Sequence, residues 1–454
     1  MSRLLFMPFK CHLDLGRILP LISFCGILAG GACGAETAPP KVFSANPQVL
    51  VAAKMSLAKG ESSLRPALGK LVAEANRMLS MKPPTVMDKK QVPPSGDKHD
   101  YLSWAPYFWR DTNSPGGKYI RRDGERNPEA GEDSDATRLA KVCAGTHTLA
   151  LANYFVGDEK YAAKAAEIIR IFFLNPKTRM NPNLNFGQGI PGEVTGRPAG
   201  LISARGLVDL VDTIGLLDGS KFWSAADQRG MTNWAGQYLH WLTTSEIGRG
   251  ELAAKNNHGS FCDTQVAALA LFIGQTEVAK NIIWTARTKR IGRQIEPDGR
   301  QPLELGRTLS FDYSLFNLQA LVELADLGRN VGVDLWHYQT VDGRSLQKGL
   351  EFMAQFVDAN HSWPYPQIHS PKRDELGALL FRTAAMYPDS QLGAALKFFN
   401  ANELNGSPVR LISKSPTLLR TDGAAAAGNN FFKPQESGTP GDMKGLKPGD
   451  SEGE

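Results

Sequence analysis

From residue 56 to about residue 400, apolar side chains recur at three- and four-residue intervals, the spacing that lines one face of an α-helix. The pattern predicts helices over 62–79, 133–156, 159–173, 201–217, 222–243, 261–273, 276–291, 310–331, 345–356, 374–386 and 390–399. Short turns such as Val156-Gly157-Asp158-Glu159 join several of them, and connections that short leave neighbouring helices antiparallel. Alternation of period two, the mark of a half-buried strand, is nearly absent. So many paired helices in one chain predict an all-α fold, an α/α toroid or solenoid, although no repeat is visible in the sequence.

Two long stretches break the helical order. Residues 81–127 are rich in Pro, Gly, Trp and Tyr, and residues 175–197 in Asn, Pro and Gly. Loops of that length inside a compact domain are functional or disordered, and the aromatics of the first argue against disorder. After Asn430 apolar residues become scarce, which is the composition of a disordered tail. The organisation expected is a leader over 1–35, one helical domain over 36–428 and a tail over 429–454.

The leader is a processing signal by its pattern. Arg3, Lys10 and Arg17 precede an apolar run from Ile18 to Ala32, and small residues at 32–35 offer a cleavage point after Ala35. The run is shorter than the roughly 20 residues of a membrane span. The mature protein is therefore expected to be periplasmic or secreted, with no stable membrane insertion. Cys11, Cys25 and Cys33 lie in the leader, so only Cys143 and Cys262 remain, both in apolar helical patterns. Removing 1–35 takes away three basic residues and one acidic residue, and the net charge falls from +5 to +3. That is too mild for a nucleic-acid binder, yet it permits a locally basic cleft for an acidic polymer.

Four segments carry candidate chemistry. Lys98, Tyr101, Trp104, Tyr107 and Trp109 are followed by Arg121 and Arg122, and a sugar-acid site needs such aromatic faces beside cations. The same aromatics also suit the anchors of a loop to a core. Lys255-Asn256-Asn257-His258-Gly259-Ser260 stands at the head of an apolar helix, where capping alone accounts for Asn and Gly. In the run from Gln294 to Ser314, a polar loop enters a helix, with Arg307 and Tyr313 six residues apart. The last segment, His361 to Ile368, holds Trp363, Tyr365 and Gln367, and reads equally as a sugar platform or as packing.

Taken together, these motifs resemble the alginate lyase superfamily: Asn-Asn-His-Gly at 256–259, Pro-Asp-Gly-Arg-Gln-Pro-Leu-Glu-Leu-Gly-Arg-Thr at 297–308, Tyr-Ser-Leu-Phe-Asn-Leu at 313–318, Trp-Ala-Pro-Tyr-Phe-Trp at 104–109 and Arg-Arg-Asp-Gly-Glu at 121–125. The resemblance spans about residues 95–370, closest to polysaccharide lyase family 38 and more distant to family 5. It implies an incomplete α/α barrel of about six or seven helical hairpins and β-elimination without metal or other cofactor. It carries the catalytic roles to Asn257, His258, Arg307 and Tyr313.

The chemistry gives those residue types a purpose. Asn257, His258 and Arg307 neutralise the substrate carboxylate and so stabilise the enolate-like charge that develops when the C5 proton leaves. Tyr313 removes that proton and returns one to the departing O4. A single residue suffices when H5 and O4 lie on one side, as in β-D-mannuronate and β-D-glucuronate. In α-L-guluronate they are opposed, and His258 becomes the second group. Such a base is expected to have its pKa lowered by Arg307. One rival is a glycoside hydrolase using Glu296, Asp298 or Glu304, although these crowd one loop. A non-catalytic polysaccharide-binding protein is the other.

Overall fold

The computed structural model describes residues 38–113, 117–131 and 133–413, with the side chains of 401–403 excepted. The leader 1–35 and the tail 429–454 lie outside the described residues, and the described residues from Pro39 to Ser413 form one unit.

Local signals set the helix ends. In α3 (Asp135–Val156), Ser134 caps the start by accepting from the Ala136 N–H. Gly157 ends it in the left-handed region, and Asp158 then caps α4 (Glu159–Ile169), which gives an antiparallel hairpin. The same economy joins α8 (Asn257–Phe272) to α9 (Thr276–Ala286) through Gly274. Both α4 and α9 run on into a widened π turn, Arg170–Leu174 and Arg287–Ile291.

An inner series of helices packs in succession: α3 on α5 (Leu207–Leu217), α5 on α8, α8 on α12 (Ser310–Gly328), and α12 on α14 (Arg373–Ala384). Outer helices cover them. The hairpin partner α4 and α2 (Arg65–Leu79) cover α3, α6 (Ala225–Thr244) and α9 cover α8, and α13 (Leu346–Ala354) covers α12. This is the α/α toroid architecture. Of α8 only His258 and Phe272 escape full burial, so the helix has core on every side and no polar face. That explains why periodicity alone started it at Phe261, four residues late.

Two further differences from the sequence reading stand out. Residues 47–58 form an additional helix, α1 (Pro47–Ala58), and α7 (Glu246–Ala253) precedes the Asn-Asn-His-Gly turn. The two long loops also hold short strands. Leu102–Trp104 (β1) pairs in parallel with Phe186–Gly189 (β4), and Phe108–Arg110 (β2) pairs antiparallel with Tyr119–Arg121 (β3). A buried ion pair fixes the first loop to α3. Lys89 Nζ stands 2.9 Å from Asp135 and also donates to the Val86 and Lys98 carbonyls, so its desolvated charge has partners on every side. Cys143 and Cys262 are buried free thiols.

Candidate active site

A cleft of about 710 Å³ opens where the inner ends of α3, α8 and α12 meet the two long loops. Seven Lys or Arg side chains line it against two acidic ones, Asp312 and Glu375. Its local field is therefore far more positive than the net charge suggests.

Asn257 and His258 enter the cleft at the first turn of α8. The turn is held from behind by Arg290, which is fully buried and pairs in a fork with Asp263, Nε to Oδ2 at 2.8 Å and Nη2 to Oδ1 at 3.0 Å. Arg290 also donates to the carbonyls of Leu252 and Ala254. Gly259 is required here, since a Cβ at that position would stand 2.1 Å from the Ala254 carbonyl oxygen and 2.2 Å from Arg290 Nη1. Gln294 completes the support by donating to the Lys255 and Asn256 carbonyls.

Each polar side chain that α8 and the α12 approach present to the cleft has a carboxylate behind it. Asn257 donates to Glu304 through both its backbone N–H and its Nδ2, each at 2.7 Å. Burial pushes the Glu304 carboxyl up to about 7 in spite of those two hydrogen bonds. His258 Nδ1 lies 2.7 Å from Glu251 Oε1, and Glu251 Oε2 is buried with no hydrogen-bond partner. Arg307 grips Asp123 with Nε at 3.0 Å and Nη2 at 2.6 Å. Burial alone would raise the Asp123 carboxyl, but the Arg307 fork and the Thr308 N–H hold it down at about 2.

Tyr313 stands one turn into α12. Its hydroxyl is 2.8 Å from that of Tyr107, and the Arg307 guanidinium lies over its ring, 4.0 Å from the centroid. The Arg307 charge does pull the Tyr313 pKa down, but the expectation of a net lowering is corrected. Burial raises it above the ordinary tyrosine value and outweighs the Arg307 charge, which Asp123 already engages. At neutral pH Tyr313 is therefore a neutral phenol.

The aromatic loops divide. Trp104, Tyr107 and Arg121 line the cleft. Tyr101 does not, being fully buried in the core, so its assignment to a subsite is corrected. Lys98 turns away and donates to the Met87 carbonyl. Trp109 donates to the Glu125 carbonyl and carries Arg122 on its face at 5.1 Å, outside the lining residues. Trp363 donates to Ser310 Oγ and packs edge-on against Phe311 and Phe356. Tyr365 packs on Trp363, and Gln367 accepts from the Phe311 N–H. These three brace the start of α12 from behind and are not among the residues that line the cleft.

Motif reading missed Glu251 and Asp123 as partners, and Gln188 and Arg197 as lining residues. It saw Glu304 only as a hydrolase acid. The hydrolase geometry fails, because Glu304 is sealed behind Asn257 while Glu296 and Asp298 pair with Arg344 and Arg300.

Known proteins bear on this geometry. The alginate lyase family model matches residues 85–363. An alginate lyase from Bacteroides ovatus is 36% identical, covering 82% of this chain and 99% of its own, with a TM-score of 0.79. Alginate lyase A1-III from Sphingomonas species A1 is 16% identical, covering 77% of this chain and 97% of its own, with a TM-score of 0.45. No curated protein matches the sequence.

Proposed function

The chain belongs to the alginate lyase family and is a polysaccharide lyase; from that premise we propose that it cleaves a uronate polymer, alginate or polymannuronate or glucuronan, by metal-independent β-elimination. The products are oligosaccharides with a C4–C5 double bond at the new non-reducing end. The observation that carries the reading is the convergence of Asn257, His258, Arg307 and Tyr313 on one cationic cleft.

In this reading the substrate carboxylate enters opposite Asn257, His258 and Arg307, which bind the charge as it spreads from C5. Their own geometry is already fixed by Glu304, Glu251 and Asp123, so little reorganisation remains for the reaction step. Neutralisation comes from these side chains, and no metal is assigned a role. Tyr313 serves as base and then acid on mannuronate-like residues, with the Tyr107 hydroxyl at 2.8 Å as the route by which its phenolic proton can leave.

A second reading is favoured by one observation, the burial that keeps Tyr313 protonated. A neutral phenol is ready as an acid toward O4, with His258 as the base at C5. That division suits guluronate, whose H5 and O4 are opposed. Incubation with polymannuronate, polyguluronate and glucuronan, followed by ultraviolet absorbance, tests both readings. Absorbance should rise on at least one polymer and persist in EDTA. Water-added products without a double bond would sink the proposal, and the preferred polymer assigns the base.

A further inference from the structure

The cleft contains a cation that lacks an anion. Arg197 donates from Nη2 to Gln188 Oε1 at 2.8 Å, and its guanidinium lies 5.1 Å from the centre of the Phe108 ring. Its Nε is buried with no partner, and no carboxylate among the described residues forms an ion pair with it. Nearby Arg307 has Asp123, and Arg290 behind the site has Asp263. Burial and repulsion from Arg121 lower the Arg197 pKa to about 10, so it remains charged at neutral pH.

Holding an unpaired, partly desolvated charge is costly, and a fold retains one only where the surroundings enforce it. Here they do. Gln188, which orients Arg197, sits at φ 49 although it is not glycine, and its N–H donates to Ser103 Oγ at 2.9 Å. The Arg197 N–H donates to the Gly187 carbonyl at 3.0 Å. At Gly196 a Cβ would stand 2.0 Å from the Asn185 carbonyl oxygen, so the segment closes tightly on β4. Strained backbone that aims a charged side chain into a cleft is the usual signature of a preorganised binding group.

We propose that Arg197, oriented by Gln188, receives the carboxylate of a second uronate in the polymer, adjacent to the residue being cleaved. The proposal rests on the uronate reading above. The reacting carboxylate is already met by Asn257, His258 and Arg307. Arg197 lines the same cleft as Arg121, Asn257, His258 and Arg307, which puts it beside the reacting centre. Nη1 makes no hydrogen bond to the described residues and is the donor available to a carboxylate. An anionic sugar pairs with it where a neutral one leaves it unmatched.

The test is equilibrium binding of oligomannuronates to the Tyr313→Phe protein, with and without Arg197→Gln, by calorimetry. Loss of a charge-assisted contact worth about 1.5–3 kcal/mol corresponds to roughly 10- to 100-fold weaker binding. Arg197→Lys, which keeps the charge without the fork, should recover part of the affinity. Methyl-esterified oligomers should bind equally to both proteins, a readout that a merely structural role for Arg197 does not predict. Unchanged affinity of Arg197→Gln for the acid oligomers would overturn the subsite. Absence of uronate binding to the Tyr313→Phe protein itself would overturn the uronate reading, and the subsite with it.

Discussion

The two walls of the cleft are built on opposite electrostatic plans. The wall from α7, α8 and the approach to α12 backs three polar side chains with carboxylates: Asn257 with Glu304, His258 with Glu251, Arg307 with Asp123. The wall from β4 and the loop after it leaves Arg197 without an anion. Charges that are already paired cost little to keep and move little, which suits groups that must meet a transition state in one geometry. An unpaired charge keeps its interaction free for a ligand. One wall is made for chemistry and the other for holding polymer.

The largest expected effect comes from the chemical wall. Tyr313→Phe keeps the ring under Arg307 and deletes the hydroxyl assigned to proton transfer. Turnover should fall by about 10²- to 10⁴-fold, the usual loss for a general acid–base. Stability should drop by only ~1 kcal/mol, the worth of the single hydrogen bond to Tyr107. Near-normal turnover with an unchanged melting temperature would move the proton-transfer role to His258. His258→Ala should also be severe, because it removes one of three groups meeting the carboxylate.

Glu251→Gln probes the carboxylate plan itself. A carboxylate only accepts, so Nδ1 of His258 carries the hydrogen of this bond, which fixes how the ring is turned in the cleft. A Gln amide can donate instead and reverse that bond, and misplacing such a group costs on the order of 10²-fold in rate. The loss should appear in kcat, with KM little changed. A loss confined to KM would make Glu251 part of the binding wall and erase the contrast.

Glu304 supplies a pH test with a definite sign. Its carboxylate accepts from both N–H groups of Asn257, so protonation below about 7 removes part of that hold. Activity should therefore climb as pH rises through about 7, by up to about tenfold per unit on the acid side, and Glu304→Gln should flatten that limb. Stability runs the other way. The folded pKa lies above the ordinary value of 4.5, so this group's contribution is complete below about 4.5 and is lost as pH rises through about 7. Asp212, at about 6, adds a slope of the same sign. Melting temperatures of wild type and Glu304→Gln between pH 5 and 8 check this: the variant should lose part of the decline.

What the sequence disclosed follows the same division. Helices with one wet face announced themselves by period along their whole length, whereas α8, buried all round, showed its period only from Phe261, and its first turn was marked by the Asn-Asn-His-Gly motif alone. The reacting quartet was legible because its members sit in ordered motifs. Their carboxylate partners were not, since Asp123 meets Arg307 across 184 residues and only folding joins them. Aromatic content was ambiguous for a physical reason. Trp104 and Tyr107 face the cleft while Tyr101 fills the core, and composition does not say which way a ring in an irregular loop points.

Arg122 gives the smallest expected effect and the finest test of the contrast. By sequence it is the twin of Arg121, and both look like uronate binders. In the fold Arg121 lines the cleft and reaches Asp123 at 3.2 Å, whereas Arg122 lies on Trp109 and faces Glu125 at 3.9 Å in solvent. Exposed ion pairs are worth about 0–1 kcal/mol, and an exposed cation–π contact about 0.5–1. Arg122→Ala should thus leave kcat and KM on uronate polymers within about twofold of wild type, since nothing near the reacting centre loses a partner. Arg121→Ala, by contrast, removes a cleft cation and one of the two arginines on Asp123, and should raise KM visibly. Parallel kinetics of the two variants decide the matter. If Arg122→Ala raises KM as much as Arg121→Ala does, the polymer extends over the outer face of β2 and β3, and the binding wall is wider than the cleft.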